Sequence, residues 1–435
     1  MSGKNCFKIL DKIFVQKNKK DIEEIPGYTI KYGHIKNKNN EIVDEVLVSY
    51  FKEPKSYTTE NMCEINSHGG NIVMKQILEL CIENGAELAE PGEFTKRAFF
   101  NGRIDLSQAE AVIDVINAKT KIETKESINQ LQGYLSKRIS NIRKKLIDMM
   151  VDIDANIDYP EYDLEDVSYN KATQELTDIY NDLNKLEKSF DNGKIIKNGI
   201  KVAIIGKPNA GKSSLLNAML KEERAIVTKY EGTTRDTIEE FLEIDGIPIR
   251  IIDTAGIRNA KDEVEKIGIK KSKEVAETAD LIIAIFDITK KLDEEDKKIL
   301  DIIGNKKSII VLNKIDLVDK VNIPEEILKY ENIIEMSALN KQGIEEMYNK
   351  IAEIFKFNDI EEDNSFIITN IRHKELIKKA NKNIEDAINT LKNNLPIDII
   401  SINIKDALEN LGNITGENVS ENIINEIFKK FCLGK

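Results

Sequence analysis

The stretch GKPNAGKS at 206–213 constrains this chain more than any other, because it has the form GxxxxGK[ST] and lies where that form has a mechanism. The apolar, β-branched run KVAII at 201–205 precedes it as a buried strand would, and SLLNAML at 214–220 follows with helical spacing. A strand, a glycine turn and a helix N-terminus aim backbone N–H groups at phosphates. In that setting Lys212 reaches the outer phosphates and the Ser213 hydroxyl holds Mg²⁺. A ligand-free glycine loop is the plain alternative, and the fit of the whole motif to its flanks weighs against it.

The base is specified further along. Asn313, Lys314 and Asp316 follow the apolar run SIIVL at 308–312. A carboxylate at Asp316 suits guanine, since it accepts from both N1–H and the 2-amino group. Adenine offers neither donor and would strand the charge, at a cost of about 1–3 kcal/mol or more. Ser337, Ala338 and Leu339 follow the run IIEM at 333–336 and offer backbone N–H groups to guanine O6. Asp253, Thr254, Ala255 and Gly256 end the second strand of a hairpin turned at Asp245-Gly246. Asp253 is then placed to hold magnesium through water, and the Gly256 N–H to meet the γ-phosphate. GTTRD at 232–236 supplies the switch, with Thr234 on Mg²⁺ next to Thr233. The motifs in this order predict a Ras-like GTPase domain.

One position departs from Ras-like enzymes. After the DTAG glycine stands Ile257, which cannot orient water as a glutamine does, so an acid must take that task. Glu265 and Glu263 compete for it from spacing alone. No arginine is placed to reach the phosphates in cis. Asn209, inside the P-loop, instead offers a side-chain oxygen that with carbonyls of the first switch can hold a monovalent cation there.

With 435 residues the chain exceeds a single core and is expected to be multidomain. Strand-like runs at 28–35 and 42–51, a helix after His68-Gly69-Gly70 that stops at Asn84-Gly85, and a short helix begun at Pro91-Gly92 predict an α+β domain over 1–103. From 106 to 157 the pattern is helical with few breaks, and a second helix carries Leu176, Ile179, Leu183, Leu186 and Phe190 until Asn192-Gly193 closes it. Helical spacing resumes at Leu376 and ends in a short helix with Ile423, Ile427 and Phe431. An α-helical domain in two parts, 104–196 and 358–435, thus brackets an inserted α/β P-loop GTPase domain, 197–357.

The four cysteines form no CxxC pair, and His34, His68 and His373 are the only histidines, which argues against a zinc site or a disulfide framework. No run of about eighteen apolar residues and no apolar leader core is present, so no membrane role is expected and the location is read as cytoplasmic. A net charge of -12 argues against indiscriminate nucleic-acid attraction while leaving room for a local basic face on tRNA.

Taken together, GKPNAGKSSLLN, AIVTKYEGTTRD, DTAGIR followed by DEVEKIGI, the N-terminal SHGG and PGEFTKRAFFNGRIDLSQAEA, and the terminal FCLGK resemble the MnmE (TrmE) family of tRNA-modification GTPases over essentially the whole chain. The resemblance implies a potassium site at Asn209, Thr228, Tyr230 and Thr233, with magnesium on Ser213 and Thr234. It implies GTP contacts that include Ala210, Gly211 and Ser214, and a water-orienting role for Glu265 over Glu263. It further implies a folate-binding-like N-terminal domain with Glu64, Arg103 and Lys435 on a tetrahydrofolate, and a catalytic part for Cys432. Family members are homodimers that pair with an FAD-containing partner, MnmG, in a heterotetramer. They build a carboxymethylaminomethyl or aminomethyl group at C5 of the tRNA wobble uridine from 5,10-methylene-tetrahydrofolate. Relatives begin with a strand, a glycine-rich loop and an R-I-S-G segment, of which this chain carries only the end at Met1-Ser2-Gly3; the strand and a folate-contacting arginine are missing from it, which implies either a misassigned start or a truncated protein. A GTP-switched RNA-binding or ribosome-assembly factor is the other function these motifs allow. It would call for a KH-like GXXG clamp, and the sequence offers helices and a cysteine tail in its place.

Overall fold

The computed structural model describes residues 1–16, 25–158, 165–220, 240–252, 273–356, 367–393, 397–432 and 434. Two compact units emerge: 1–117, 127–180 and 376–435 in one, and 118–126 with 181–375 in the other.

The first unit opens with α1 (Cys6–Ile13) and a sheet of β1 (Phe14–Gln16), β2 (Thr29–Lys36), β3 (Ile42–Phe51) and β4 (Met62–Asn66), antiparallel throughout and in the order β1-β2-β3-β4. Alternation along β3 sends Val46, Val48 and Tyr50 inward against Leu10 and Ile13 of α1, and leaves Leu47 outside. The helix α2 (Asn71–Glu83) adds Ile77, Leu80 and Cys81 to that core and stops at Asn84-Gly85, as its sequence predicts. Then come α3 (Glu93–Phe100), α4 (Leu106–Asn117), α5 (Lys121–Leu131), α6 (Tyr134–Asp158) and α7 (Glu165–Asn198).

One expectation is corrected here, at the end of α7. The stretch from 106 is helical with few breaks, as expected: it is broken at 118–120 and again at Gln132-Gly133, where Gly133 takes φ +81 and the Gln108 side chain donates to the Leu131 carbonyl at 2.8 Å. Of the apolar positions spaced at threes and fours in the sequence, Leu135, Ile139, Ile142, Leu146, Met149 and Ile153 are buried along α6, whereas Leu131 lies on α5 and is half-buried. Further on, α7 does not close at Asn192-Gly193 but continues to Asn198 and ends at Gly199, with φ +71. Gly193 serves a close approach: a Cβ there would lie 2.0 Å from the Ile368 carbonyl oxygen.

The second unit holds β5 (Ile200–Gly206), α8 (Lys212–Leu220), β6 (Glu240–Ile244), β7 (Ile247–Ile252), β8 (Leu281–Asp287), α9 (Glu294–Ile303), β9 (Ser308–Asn313), β10 (Ile333–Met336) and α10 (Ile344–Ile354). Its sheet runs β10-β9-β8-β5-β7-β6, parallel except for β6. Strands β8 and β9 read as unbroken apolar runs because both faces are covered. Val202 and Ile204 enter one cluster, and Ala203 and Ile205 the other. The chain steps from β5 to β7 on one side and to β8 on the other, so the loop after β5 opens at the switch point where ligands bind in such sheets.

Past this unit run α11 (Ile371–Lys392), α12 (Ile397–Thr415) and α13 (Glu421–Phe428). Phe428 of α13 and Phe431 pack with Ala98, Ile104 and Leu106. The architecture is an N-terminal α+β domain, a helical domain and an inserted α/β P-loop domain. No helix among the described residues is long and apolar enough to cross a membrane.

Candidate functional site

The P-loop spans the end of β5 and the start of α8, and its turn is built from residues that tolerate unusual backbone. Asn209 adopts φ +63, within reach of asparagine's short side chain, and Gly211 adopts φ +113. Lys212 opens α8 and donates from Nζ to the carbonyls of Gly206 and Lys207, each at 2.7 Å. Burial pushes the Lys212 ammonium below its ordinary pKa. Such a cation gains most from an anion that replaces those neutral carbonyls. Ser213, Ser214 and Asn209 are exposed at the mouth of the loop.

The base side is held by its own side chains. Asn313, 3% exposed at the end of β9, donates from Nδ2 to the Ala210 carbonyl at 2.8 Å and accepts at Oδ1 from the Ala338 N–H at 3.0 Å. One amide thus joins the phosphate loop to the loop after β10. The Ser337 hydroxyl donates to Asp316 Oδ1 at 2.6 Å, which fixes the carboxylate predicted to read guanine and leaves its second oxygen unengaged by that bond. Lys314 takes φ +72 and ion-pairs with Asp287 at 2.6 Å. Burial raises the Asp287 pKa, yet the hydrogen bonds from Lys314 and Thr289 outweigh it and hold the carboxyl below the usual range. Leu339 is exposed.

Comparison with known proteins places this arrangement. The family described as the MnmE helical domain matches residues 106–432, and the GTP-binding protein TrmE N-terminus matches residues 1–103. The tRNA modification GTPase MnmE of Acetivibrio thermocellus is 50% identical over 438 residues, covering 100% of this chain and 95% of that protein. This chain belongs to the MnmE (TrmE) family. The MnmE of Finegoldia magna is 48% identical over 435 residues, again covering 100% of this chain and 95% of the relative. Among solved structures, the G domain of the T. maritima FeoB iron transporter is 25% identical over 35% of this chain and 97% of that one, with a TM-score of 0.27.

Several residues that the MnmE resemblance marks lie outside the described residues: Thr228, Tyr230, Thr233, Thr234, Asp253, Thr254, Ala255, Gly256, Glu265 and Lys435, with Ile257 and Glu263 beside them. In the N-terminal domain, Glu64 faces solvent on β4 opposite Ser49, and the Arg103 guanidinium lies 4.4 Å from the Tyr57 ring centre. Among the described residues no hydrogen bond or ion pair joins the two. Cys432 is exposed, and its carbonyl accepts from the Gly92 N–H at 3.3 Å.

Sequence reasoning missed the supports. Asp287 stands at the C-terminal end of β8 beside Asn313, to which it is paired across the strands. Its position at the end of the apolar run LIIAIF is the one signal the sequence holds. Lys207 and the pair Asp293 and Asp296 were likewise passed over, although LDEED at 292–296 carries the spacing of a capping box.

Proposed function

We propose that this chain hydrolyses GTP to drive modification of C5 of the tRNA wobble uridine, working in the cytoplasm as a homodimer with an FAD-containing partner of the MnmG kind. The observation that supports the nucleotide half is the linked set Ala210, Asn313, Ala338, Ser337 and Asp316, which draws the phosphate loop and the guanine reader into one bonded frame. Family membership, with relatives named tRNA modification GTPase, supports the tRNA half.

In this reading Asp316 accepts from the guanine edge, Asn313 and Lys314 shape the wall beside it, and Ser337, Ala338 and Leu339 line the O6 side. Ala210, Gly211, Lys212, Ser213 and Ser214 wrap the phosphates, Thr254 and Ala255 flank the γ-phosphate contact of Gly256, and Asp253 stands behind the metal. Ser213 and Thr234 would hold Mg²⁺; the exposed Ser213 at the start of α8 fits such a ligand. Asn209, with Thr228, Tyr230 and Thr233, would hold K⁺; its left-handed backbone and exposure leave it open to such a role. A monovalent ion there supplies positive charge to the departing phosphoryl group. Glu265 orients the water. Residues 1–103, with Glu64, Arg103 and Lys435, bind the tetrahydrofolate that donates the carbon. Residues 104–196 and 358–435 form the helical part, Cys432 joins the transfer chemistry, and 197–357 form the GTPase.

Two measurements test this. GTP turnover should rise steeply when sodium is replaced by potassium, and equal rates in both salts refute the cation assignment. Nucleoside mass spectrometry of tRNA from cells lacking the gene should show unmodified wobble uridine. Unchanged nucleosides would leave the RNA-binding-factor reading in its place.

A further inference from the structure

The P-loop carries a second lysine that the proposed reaction does not employ. Lys207 directs its ammonium away from the turn and ion-pairs with Asp293 and, at 3.2 Å, with Asp296. Both carboxylates belong to the capping box at the start of α9. Asp293 Oδ1 accepts from the N–H groups of Glu295 at 3.0 Å and Asp296 at 3.3 Å, while Asp296 Oδ2 accepts from the Asp293 N–H at 3.1 Å. Asp296 is 7% exposed, so its charge needs a partner, and Lys207 is the cation beside it. Burial lowers the Lys207 pKa, but hydrogen bonds to Asp293 and Asp296 outweigh it and raise the pKa overall. The bond from Lys207 is the largest cause that draws Asp293 down to about 2.

At its other end the same residue supports the nucleotide lysine. The Lys207 carbonyl accepts from Lys212 Nζ at 2.7 Å and from the Ala210 N–H at 3.3 Å. Residue 207 thus bonds by its side chain to α9 and by its backbone to the two residues that face the phosphates and Asn313.

We propose that Lys207 is a positioning residue, a tether that fixes the leading turn of the P-loop to the start of α9 and so sets guanine-nucleotide affinity. The proposal rests on the guanine-nucleotide reading of the crevice. A loop already fixed loses little freedom when phosphates arrive, whereas a loop that samples other states binds more weakly by the fraction of time it is wrongly arranged. Lys207 therefore acts through Lys212 and Ala210, with its own charge spent on α9.

The test is GDP binding by the full chain, read with a fluorescent GDP derivative at fixed salt and Mg²⁺. Lys207→Met should weaken GDP by about five- to tenfold, the scale of a charge-assisted pair. Asp293→Asn retains an N-cap residue and removes the charge, and it should also weaken GDP, by less. The double variant should be no weaker than Lys207→Met alone, and Lys207→Arg should stay within about twofold of the parent. Parental affinity in Lys207→Met overturns the tether. Tighter binding in Asp293→Asn overturns it too, since it would show a freed Lys207 reaching the phosphates directly. If the parent binds no GDP, the reading of the crevice itself has failed, a result that none of the variants can mimic.

Discussion

The nucleotide crevice and the N-terminal face hold their candidate residues in opposite ways. In the crevice, Asn313 is buried and bonded at both ends of its amide, and Asp316 receives the Ser337 hydroxyl. At the N-terminal face, Glu64 is exposed on β4 and Arg103 rests on the Tyr57 ring. The first site is folded into the protein's own bonding, so its residues serve stability and recognition together. At the second the two side chains share no bond with each other among the described residues, so a ligand proposed for that face would have to gather them.

The largest effect that would break this contrast is expected at Asn313. Asn313→Ala leaves the Ala210 carbonyl and the Ala338 N–H without their partner, and should lower unfolding free energy by about 2–4 kcal/mol, seen by denaturant titration. An unchanged midpoint would place the crevice with the N-terminal face. Next, Asp316→Asn exchanges half of an acceptor pair for a donor and should weaken GTP by about 1–3 kcal/mol in calorimetry while the fold persists. Retained affinity would remove the base assignment. Arg103→Ala sharpens the other side: stability should move by less than about 0.5 kcal/mol while tetrahydrofolate binding falls, and a large loss of stability would reveal a structural arginine.

The smallest effect concerns pH. The Asp293 carboxyl is depressed from 3.8 to about 2, so its contribution is present above 3.8 and is lost as pH falls through about 2. Carboxyl NMR should find that low titration in the parent and a return toward the ordinary value in Lys207→Met; identical titrations would detach Asp293 from Lys207.

The crevice was also the more legible of the two regions. Gly206, Lys212, Asn313, Asp316 and Ser337 stand in short motifs whose spacing is local, and the strands beneath them are apolar runs of the right length. What escaped the sequence was set by contacts distant along the chain. Asn192-Gly193 has the local chemistry of a helix stop, but the passage of the Ile368 backbone is what demands a glycine at 193. The isoleucine-rich start of α12 gives no clean period, since β-branched residues fit strand and helix alike at that length. The pairs Lys314–Asp287 and Lys207–Asp293 join residues brought together only by the sheet and the helix start.

Gly211 carries the joining of the two ends of the crevice one step further. A Cβ at this position would sit 2.0 Å from Asn313 Nδ2, so even an empty pocket forbids a side chain there. The glycine at 211 is therefore demanded by Asn313, proposed above to line the purine, as well as by its own backbone angle of φ +113. Under the proposed guanine-nucleotide reading, a lesion at 211 would be felt at once by triphosphate grip and by base discrimination, and no adjustment confined to one half of the pocket could repair it.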